Sequence, residues 1–101
     1  MAPDLRPLFE PEGVSVTGVS AHPGKFGFVA LHNILACGYT GPVFAVGREE
    51  GTVLDRPVLA SVEAVPEGAA ELLVLCTPVA ANAEIVRAAA TRGVRAVFCA
   101  A

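Results

Sequence analysis

The loop from Gly18 to Gly27 contains the residues best suited to chemistry in this chain. It places small residues and glycines between a strand-like and a helix-like segment, and it carries Lys25 near the start of that helix. The free backbone N–H groups and the dipole at a helix N-terminus favour an anion, whereas a lysine there is unfavourable without one. The loop predicts an anion-binding site, although its glycines would also suit a tight turn and close helix packing alone.

Two common glycine patterns do not fit this loop. The dinucleotide pattern G-x-G-x-x-G fails because Val and Ser follow Gly18, and the next glycines are Gly24 and Gly27. The Walker pattern fails because five residues separate Gly18 from Gly24, one too many, and Phe26 stands where a magnesium-binding Ser or Thr is required. The loop is thus longer than a dinucleotide turn, and it carries a lysine.

Arg48 is the second candidate binding residue. Folds that bind NAD place an Asp or Glu after the second strand to hold the ribose hydroxyls, and this chain has Val46-Gly47-Arg48 there. A guanidinium suits a phosphate on the ribose, as in NADP or coenzyme A. Arg48 could equally pair with Glu49 or Glu50 in a solvated loop.

The elements that must position these residues alternate between strands and helices. The patterns predict a helix over 4–9, strands over 14–19, 43–46, 72–76 and 94–99, helices over 28–37 and 79–92, and a helical turn from Ser61. This order predicts an α/β fold: a Rossmann-like doubly wound parallel sheet of about four strands in the order 2-1-3-4, with helices on both faces. Ligands bind at the carboxyl ends of such strands, which places the site among the loops 18–27, 47–51 and 77–82.

Composition indicates one small domain over residues 1–101, with residues 1–12 as a helical lead-in. A content of 53% hydrophobic and 17% charged residues excludes a disordered chain. Because the net charge is −3, nucleic acid and anionic membranes are not expected partners. No segment has the length of a membrane span or the pattern of a signal peptide. The three cysteines, Cys37, Cys76 and Cys99, lie in apolar contexts without metal-ligand spacing, so we expect them to be free and buried, in a cytoplasmic protein without a metal.

Three segments together resemble a known family: residues 8–20 (LFEPEGVSVTGVS), 22–27 (HPGKFG) and 41–46 (GPVFAV). They are similar to the CoA-binding N-terminal domain of NDP-forming acyl-CoA synthetases and, more distantly, to the succinyl-CoA synthetase α subunit. The resemblance extends over about residues 8–101, and it implies coenzyme A or acyl-CoA as the ligand. It implies that the CoA phosphates are lined by Ser20, Pro23, Gly24 and Lys25, within a loop that also holds Gly18, His22 and Gly27. It implies that Arg48, with Val46 before it, faces the adenosine phosphate end, and that Thr77 and Pro78 lie beside the pantetheine path.

The chain departs from the family at two places. Gly47 stands where the family usually has Asn, and the chain ends before the Ser-Ala/Glu-Gly turn that follows Phe98 in the family. The family's phosphorylated histidine lies in a later domain, and neither His22 nor His32 matches it.

The sequence therefore predicts a CoA-binding domain, without catalytic residues of its own, at the start of a longer acid–CoA ligase (NDP-forming). Its expected partners are later domains of the same chain, a partner subunit or a second copy. Two alternatives remain: a CoA-sensing regulatory domain, in a protein acetyltransferase or a stand-alone protein, and an NAD(P)-binding oxidoreductase domain. The missing glycine pattern and acid weaken the last of these.

Overall fold

The computed structural model describes residues 6–49 and 51–99, which form strands and helices in alternation. The helices are α1 (Arg6–Phe9), α2 (Phe26–Ala36) and α3 (Val79–Ala90), with a 3₁₀ turn over Val62–Ala64. The strands are β1 (Val14–Val16), β2 (Val43–Val46), β3 (Thr52–Val53), β4 (Arg56–Leu59), β5 (Leu72–Leu75) and β6 (Ala96–Cys99). Each long element matches a predicted one. Residues 4 and 5 of the helix predicted over 4–9 lie outside the described ranges.

The sheet has the order β3-β4-β2-β1-β5-β6. All neighbouring strands are parallel except β3 and β4, which form an antiparallel hairpin. Four adjacent strands, β2-β1-β5-β6, have the predicted 2-1-3-4 order, which confirms the α/β class. The prediction of about four strands was short by two, because the β3–β4 hairpin lies where the sequence predicts a loop and an apolar stretch.

Hydrophobic cores cover both faces of the sheet. On one face, Val14 and Val16 of β1 pack with Leu31 of α2, and on the other Leu73 and Leu75 of β5 pack with Ala89 of α3. Alternate residues of a strand point to opposite faces, so a parallel sheet covered twice needs nearly continuous apolar runs, and the strands have them. The two helices therefore lie on opposite faces, as predicted.

The strand β6 forms an edge of the described sheet. Its side chains are largely exposed, with Val97 at 41% and Phe98 at 54%. The expectation that the three cysteines are buried was wrong for two of them: Cys99 is exposed because it ends this edge strand, and Cys37 because it follows the last residue of α2. Cys76, which follows the interior strand β5, is partly buried.

An ion pair between Arg6 and Glu71 lies at the amino ends of the strands. Arg6 of α1 donates two hydrogen bonds to the carboxylate of Glu71, at 2.9 and 2.6 Å, and the backbone N–H of Glu12 donates a third at 2.8 Å. These hydrogen bonds, that of Arg6 above all, lower the pKa of Glu71 to about 2. The lead-in is thus attached to the sheet at the end opposite the predicted site.

None of the helices in the described ranges has the length and apolar character that crossing a membrane requires.

Candidate functional site

A crevice of about 660 Å³ opens at the carboxyl ends of β1, β2 and β5. This is where a doubly wound sheet binds its ligands. The connections that leave the strands on either side of this point run to opposite faces of the sheet, and a crevice opens between them. The three loops that the sequence singled out all contribute to its walls. Two further elements, the 3₁₀ turn after β4 and the first turns of α3, complete it.

Nine of the eleven predicted binding residues line this crevice. They are Gly18, Ser20, His22, Lys25, Gly27, Val46, Arg48, Thr77 and Pro78. The other two, Pro23 and Gly24, belong to the same loop but are exposed and do not form the wall. The structure thus brings together residues that lie up to 60 positions apart in the sequence, from Gly18 to Pro78.

Backbone hydrogen bonds hold the first two loops against neighbouring strands. The N–H of Val19 donates to the carbonyl of Val46 at 3.0 Å, and the N–H of Gly47 donates to the carbonyl of Leu59 at 3.0 Å. These bonds continue the ladders of the sheet one step beyond its strands. The walls of the crevice are therefore fixed by the sheet itself.

Close backbone contact explains three glycines around the crevice. Gly18 has a φ of +74°, and a Cβ there would lie 2.6 Å from the carbonyl oxygen of Cys76. A Cβ on Gly27 would overlap the carbonyl oxygen of Gly18, and one on Gly47 would overlap that of Val19. Any side chain at these positions would push the loops off the sheet. For Gly27, the interpretation as a packing residue is therefore sufficient.

Gly24 differs from every other glycine of the chain. Its φ lies outside the left-handed region, and an added Cβ would meet no atom within 4 Å. Each of the other nine glycines has either a positive φ or a neighbour that a Cβ would overlap. Neither backbone conformation nor packing within the described residues requires glycine at this position.

The N-terminus of α2 opens at the crevice without a side-chain cap. Lys25 is its N-cap residue, and the lysine side chain makes no capping hydrogen bond. The preceding turn is held by the N–H of Lys25 donating to the carbonyl of His22 at 3.0 Å, and by the N–H of His22 donating to Ser20 Oγ at 3.2 Å. Lys25 and the first turn of α2 therefore both border the crevice, and an uncapped helix N-terminus beside a lysine suits an anion.

The charges around the crevice are mixed. Lys25 and Arg48 stand in its walls together with Glu49, Glu63 and Glu84. Within the described ranges, no ion pair joins Arg48 to Glu49, while Glu50 lies outside those ranges. The crevice is therefore not uniformly basic, and it suits a ligand with both anionic groups and uncharged hydrogen-bond donors.

One wall of the crevice was not predicted from the sequence. It is formed by Ser61, Val62 and Glu63 of the 3₁₀ turn region and by Glu84 and Ile85 of α3. The helical turn from Ser61 was predicted, but its place in the site depends on β4 lying beside β2. The apolar residues 58–59 were the only available signal for that strand.

The third loop is joined to Thr17, the residue after β1, by a series of side-chain hydrogen bonds. Thr17 Oγ1 lies 3.2 Å from Thr77 Oγ1, and the Thr77 hydroxyl donates to Asn82 Oδ1 at 2.6 Å. The amide Nδ2 of Asn82 lies 3.9 Å from Cys99 Sγ. This series follows the carboxyl edge of the sheet from β1 to β6.

Cys76 lines the crevice at the end of β5. Burial, and to a lesser degree the nearby Cys99, raises the pKa of its thiol. A thiol with a raised pKa is protonated at neutral pH and is a poor nucleophile. Among the described residues, no group of His, Cys, Asp and Glu has the arrangement of a metal site.

A comparison with known protein families identifies the family of this chain. The family described as a CoA binding domain matches residues 12–101, and the chain belongs to this family. The resemblance found in the sequence is therefore confirmed.

Curated relatives are ADP-forming acetate–CoA ligases. The chain is 28% identical over 93 residues to acetate–CoA ligase [ADP-forming] II of Archaeoglobus fulgidus, which covers 92% of the chain and 14% of that protein. It is 39% identical over 49 residues to the α subunit of acetate–CoA ligase [ADP-forming] I of Pyrococcus furiosus, covering 48% of the chain and 11% of the relative. The chain thus spans a small part of the length of these relatives.

Solved structures share the fold. The dinucleotide forming acetyl-coenzyme A synthetase 1 of Ca. Korarchaeum cryptofilum, in complex with phosphate and ADP, superposes with a TM-score of 0.83 at 26% identity, over 90% of this chain and 19% of that one. A conserved hypothetical protein from Pyrococcus furiosus has a TM-score of 0.76 at 19% identity, over 87% of this chain and 73% of that one.

Proposed function

We propose that this chain binds coenzyme A, or its acyl thioester, in the crevice at the carboxyl ends of β1, β2 and β5. The observation that carries the proposal is Gly24, the glycine for which neither backbone conformation nor packing gives a reason. A ligand phosphate that approaches the backbone of the loop closely would supply that reason, because a side chain would be in its way. The family of the chain and the uncapped helix beside Gly24 support the same ligand.

In this proposal, the pyrophosphate of CoA binds at the loop 18–27. The first-turn N–H groups of α2 donate to the phosphate oxygens, and the Lys25 ammonium group neutralises their charge. Ser20 and His22 lie in the same wall of the crevice and border this position. The exposed Pro23 and Gly24 form the outer turn, against which the phosphate packs.

Arg48 reads the extra phosphate on the ribose in this proposal. It follows β2, the strand beside β1, and lines the crevice next to the loop proposed for the pyrophosphate. A guanidinium matches a phosphate by paired hydrogen bonds. The neighbouring Glu49 and the exposure of Arg48 reduce the energy of this contact.

For the whole protein, we propose that the chain is the CoA-binding part of an acid–CoA ligase of the NDP-forming type. The acetate–CoA ligases among its relatives support this proposal, and it requires further domains, in the same chain or in a partner subunit, for the chemical steps.

Two variants test the separate roles of the basic residues. Lys25→Ala should weaken CoA and dephospho-CoA about equally, because both contain the pyrophosphate. Arg48→Ala should weaken CoA and leave dephospho-CoA nearly unchanged. Hydrogen bonds to charged groups contribute about 1.5–3 kcal/mol, so Arg48→Ala should cost roughly tenfold in affinity for CoA, near the lower end of that range. Calorimetric titration of both ligands against both variants measures this, and equal losses with Arg48→Ala would show that Arg48 does not read the ribose phosphate.

A further inference from the structure

The hydroxyl and amide groups at the carboxyl ends of β1 and β5 form a series of hydrogen bonds, each with a defined donor and acceptor. Thr17 is buried, with 1% of its surface exposed, and Thr77 and Asn82 are partly buried. The oxygen atoms of the two threonines are 3.2 Å apart, and that of Thr77 lies 2.6 Å from Asn82 Oδ1. Thr17 and Thr77 line the crevice, whereas Asn82 lies behind Thr77 and is not part of the wall.

The direction of each hydrogen bond follows from the chemistry of the groups. An amide oxygen only accepts, so the single hydrogen of the Thr77 hydroxyl points to Asn82. Thr77 then accepts the hydrogen of Thr17. A hydroxyl has two lone pairs, and one of them remains on Thr77. Because Thr77 lines the crevice, it presents an acceptor there and no donor.

The strand order indicates which part of CoA reaches Thr77. This step rests on the proposed function, with the pyrophosphate at the β1 loop and the ribose phosphate at Arg48 after β2. The pyrophosphate is in the middle of CoA, between the adenosine and the pantetheine arm. Since β1 lies between β2 and β5, the pantetheine arm has to leave across the end of β5, where Thr77 stands. That arm carries amide N–H donors.

We infer that Asn82 is a positioning residue, which turns the Thr77 hydroxyl so that its free lone pair accepts an amide N–H of the pantetheine arm. Without Asn82, the hydroxyl hydrogen would be free to point into the crevice, and the acceptor would no longer be preset. Asn82 thereby acts on the affinity for the arm through Thr77 and not by touching the ligand.

Adenosine 3′,5′-bisphosphate separates this effect from general damage to the site, because it keeps the adenosine phosphates and lacks the arm. The dissociation constants of CoA and of the bisphosphate are measured for the 101-residue chain and for Asn82→Ala and Asn82→Asp. Asn82→Ala should weaken CoA about three- to tenfold, the range of one neutral hydrogen bond, and leave the bisphosphate unchanged. Asn82→Asp keeps an acceptor oxygen for Thr77, so its ratio of the two constants should return to that of the parent chain.

A second pair of variants keeps the test independent of the folding of the Asn82 variants. Thr77→Val removes the acceptor and should lose CoA affinity selectively, whereas Thr77→Ser retains it and should not. Equal losses of both ligands, no loss of CoA with Asn82→Ala, or failure of Asn82→Asp to restore the ratio would overturn the inference while CoA binding by the parent chain still stands. Absence of CoA binding by the parent chain would overturn the proposed function itself, and this inference with it.

Discussion

At the scale of single residues, Gly24 gives the sharpest contrast between folding and binding. Alanine at a position that accepts its φ and ψ stabilises a protein by about 0.4–1 kcal/mol, because the unfolded chain loses freedom. Gly24→Ala should therefore fold at least as stably as the parent chain, yet bind CoA roughly tenfold more weakly if a phosphate approaches that backbone, since the methyl group would occupy its place. Thermal melting and calorimetry check the two halves of this prediction.

Gly27 is the matched control for Gly24, in the same loop. A Cβ there would overlap the carbonyl oxygen of Gly18, so Gly27→Ala should lower the melting temperature. If Gly24→Ala bound CoA as tightly as the parent chain, the loop would not approach the ligand at Gly24, and the observation that carries the proposed function would lose its meaning.

Glu71 makes the stability of the fold depend on pH. Its pKa is about 2 in the folded chain, below the ordinary value of 4.5, because Arg6 and the N–H of Glu12 hold the charged form. A lowered folded pKa adds stability that is fully present above the unfolded pKa and is lost as the pH falls from about 4.5 towards 2. Glu71→Gln should therefore be less stable than the parent chain at pH 7, and the difference should shrink towards pH 3.

Urea denaturation of both proteins at pH 7, 5 and 3 measures this difference, and other carboxyl groups cancel in it because both proteins share them. A difference in the free energy of unfolding that is the same at pH 7 and pH 3 would contradict the assigned role of Glu71.

At the scale of elements, the β3–β4 hairpin has a turn whose residues do not suit it. Leu54 and Asp55 have φ values of +50° and +64°, so the two-residue turn is of type I′, which favours Asn-Gly. Leu54 packs against the core, whereas Asp55 is exposed. Asp55 is thus the residue to change.

Asp55→Gly should stabilise the fold by about 0.5 kcal/mol, since relief of the left-handed conformation exceeds the extra freedom of glycine in the unfolded chain. For a domain of this size that corresponds to a rise of about 2–4 °C in melting temperature. Asp55→Ala is the control and should lower the melting temperature, because alanine tolerates a positive φ less well than aspartate. A melting temperature lowered by Asp55→Gly would contradict the turn assignment.

This turn also explains why the β3–β4 hairpin was not predicted from the sequence. The central strands and helices have apolar runs and helical periods strong enough to be recognised. Two features hid the hairpin: a type I′ turn without glycine at its centre, and Pro57, which cannot donate to a sheet ladder and so argues against a strand. The position of the 3₁₀ turn in the crevice depends on that hairpin.

The exposed cysteines have a similar cause. An apolar neighbourhood in sequence predicts burial, and this held in part for Cys76, which follows the interior strand β5. Cys99 occupies an equivalent strand end, but β6 forms an edge of the described sheet. The exposure of such a residue depends on what covers the strand, which local sequence does not specify.

At the scale of the whole molecule, the candidate site was predictable because the fold fixes its location. Once alternating strands and helices indicate a doubly wound sheet, the loops at the carboxyl ends of β1, β2 and β5 must lie together. The chain's net charge of −3 makes the local arrangement important. Lys25, Arg48 and the N-terminus of α2 place positive charge at the crevice, opposite in sign to the net charge of the chain.

The central claim is that the crevice binds CoA and not a nicotinamide dinucleotide. Calorimetric titration of the chain with CoA, and separately with NADH, tests it most directly, because both ligands share a pyrophosphate and only CoA carries the ribose phosphate and pantetheine arm. The account predicts measurable binding of CoA and clearly weaker binding of NADH. Binding of NADH with no heat from CoA would contradict it.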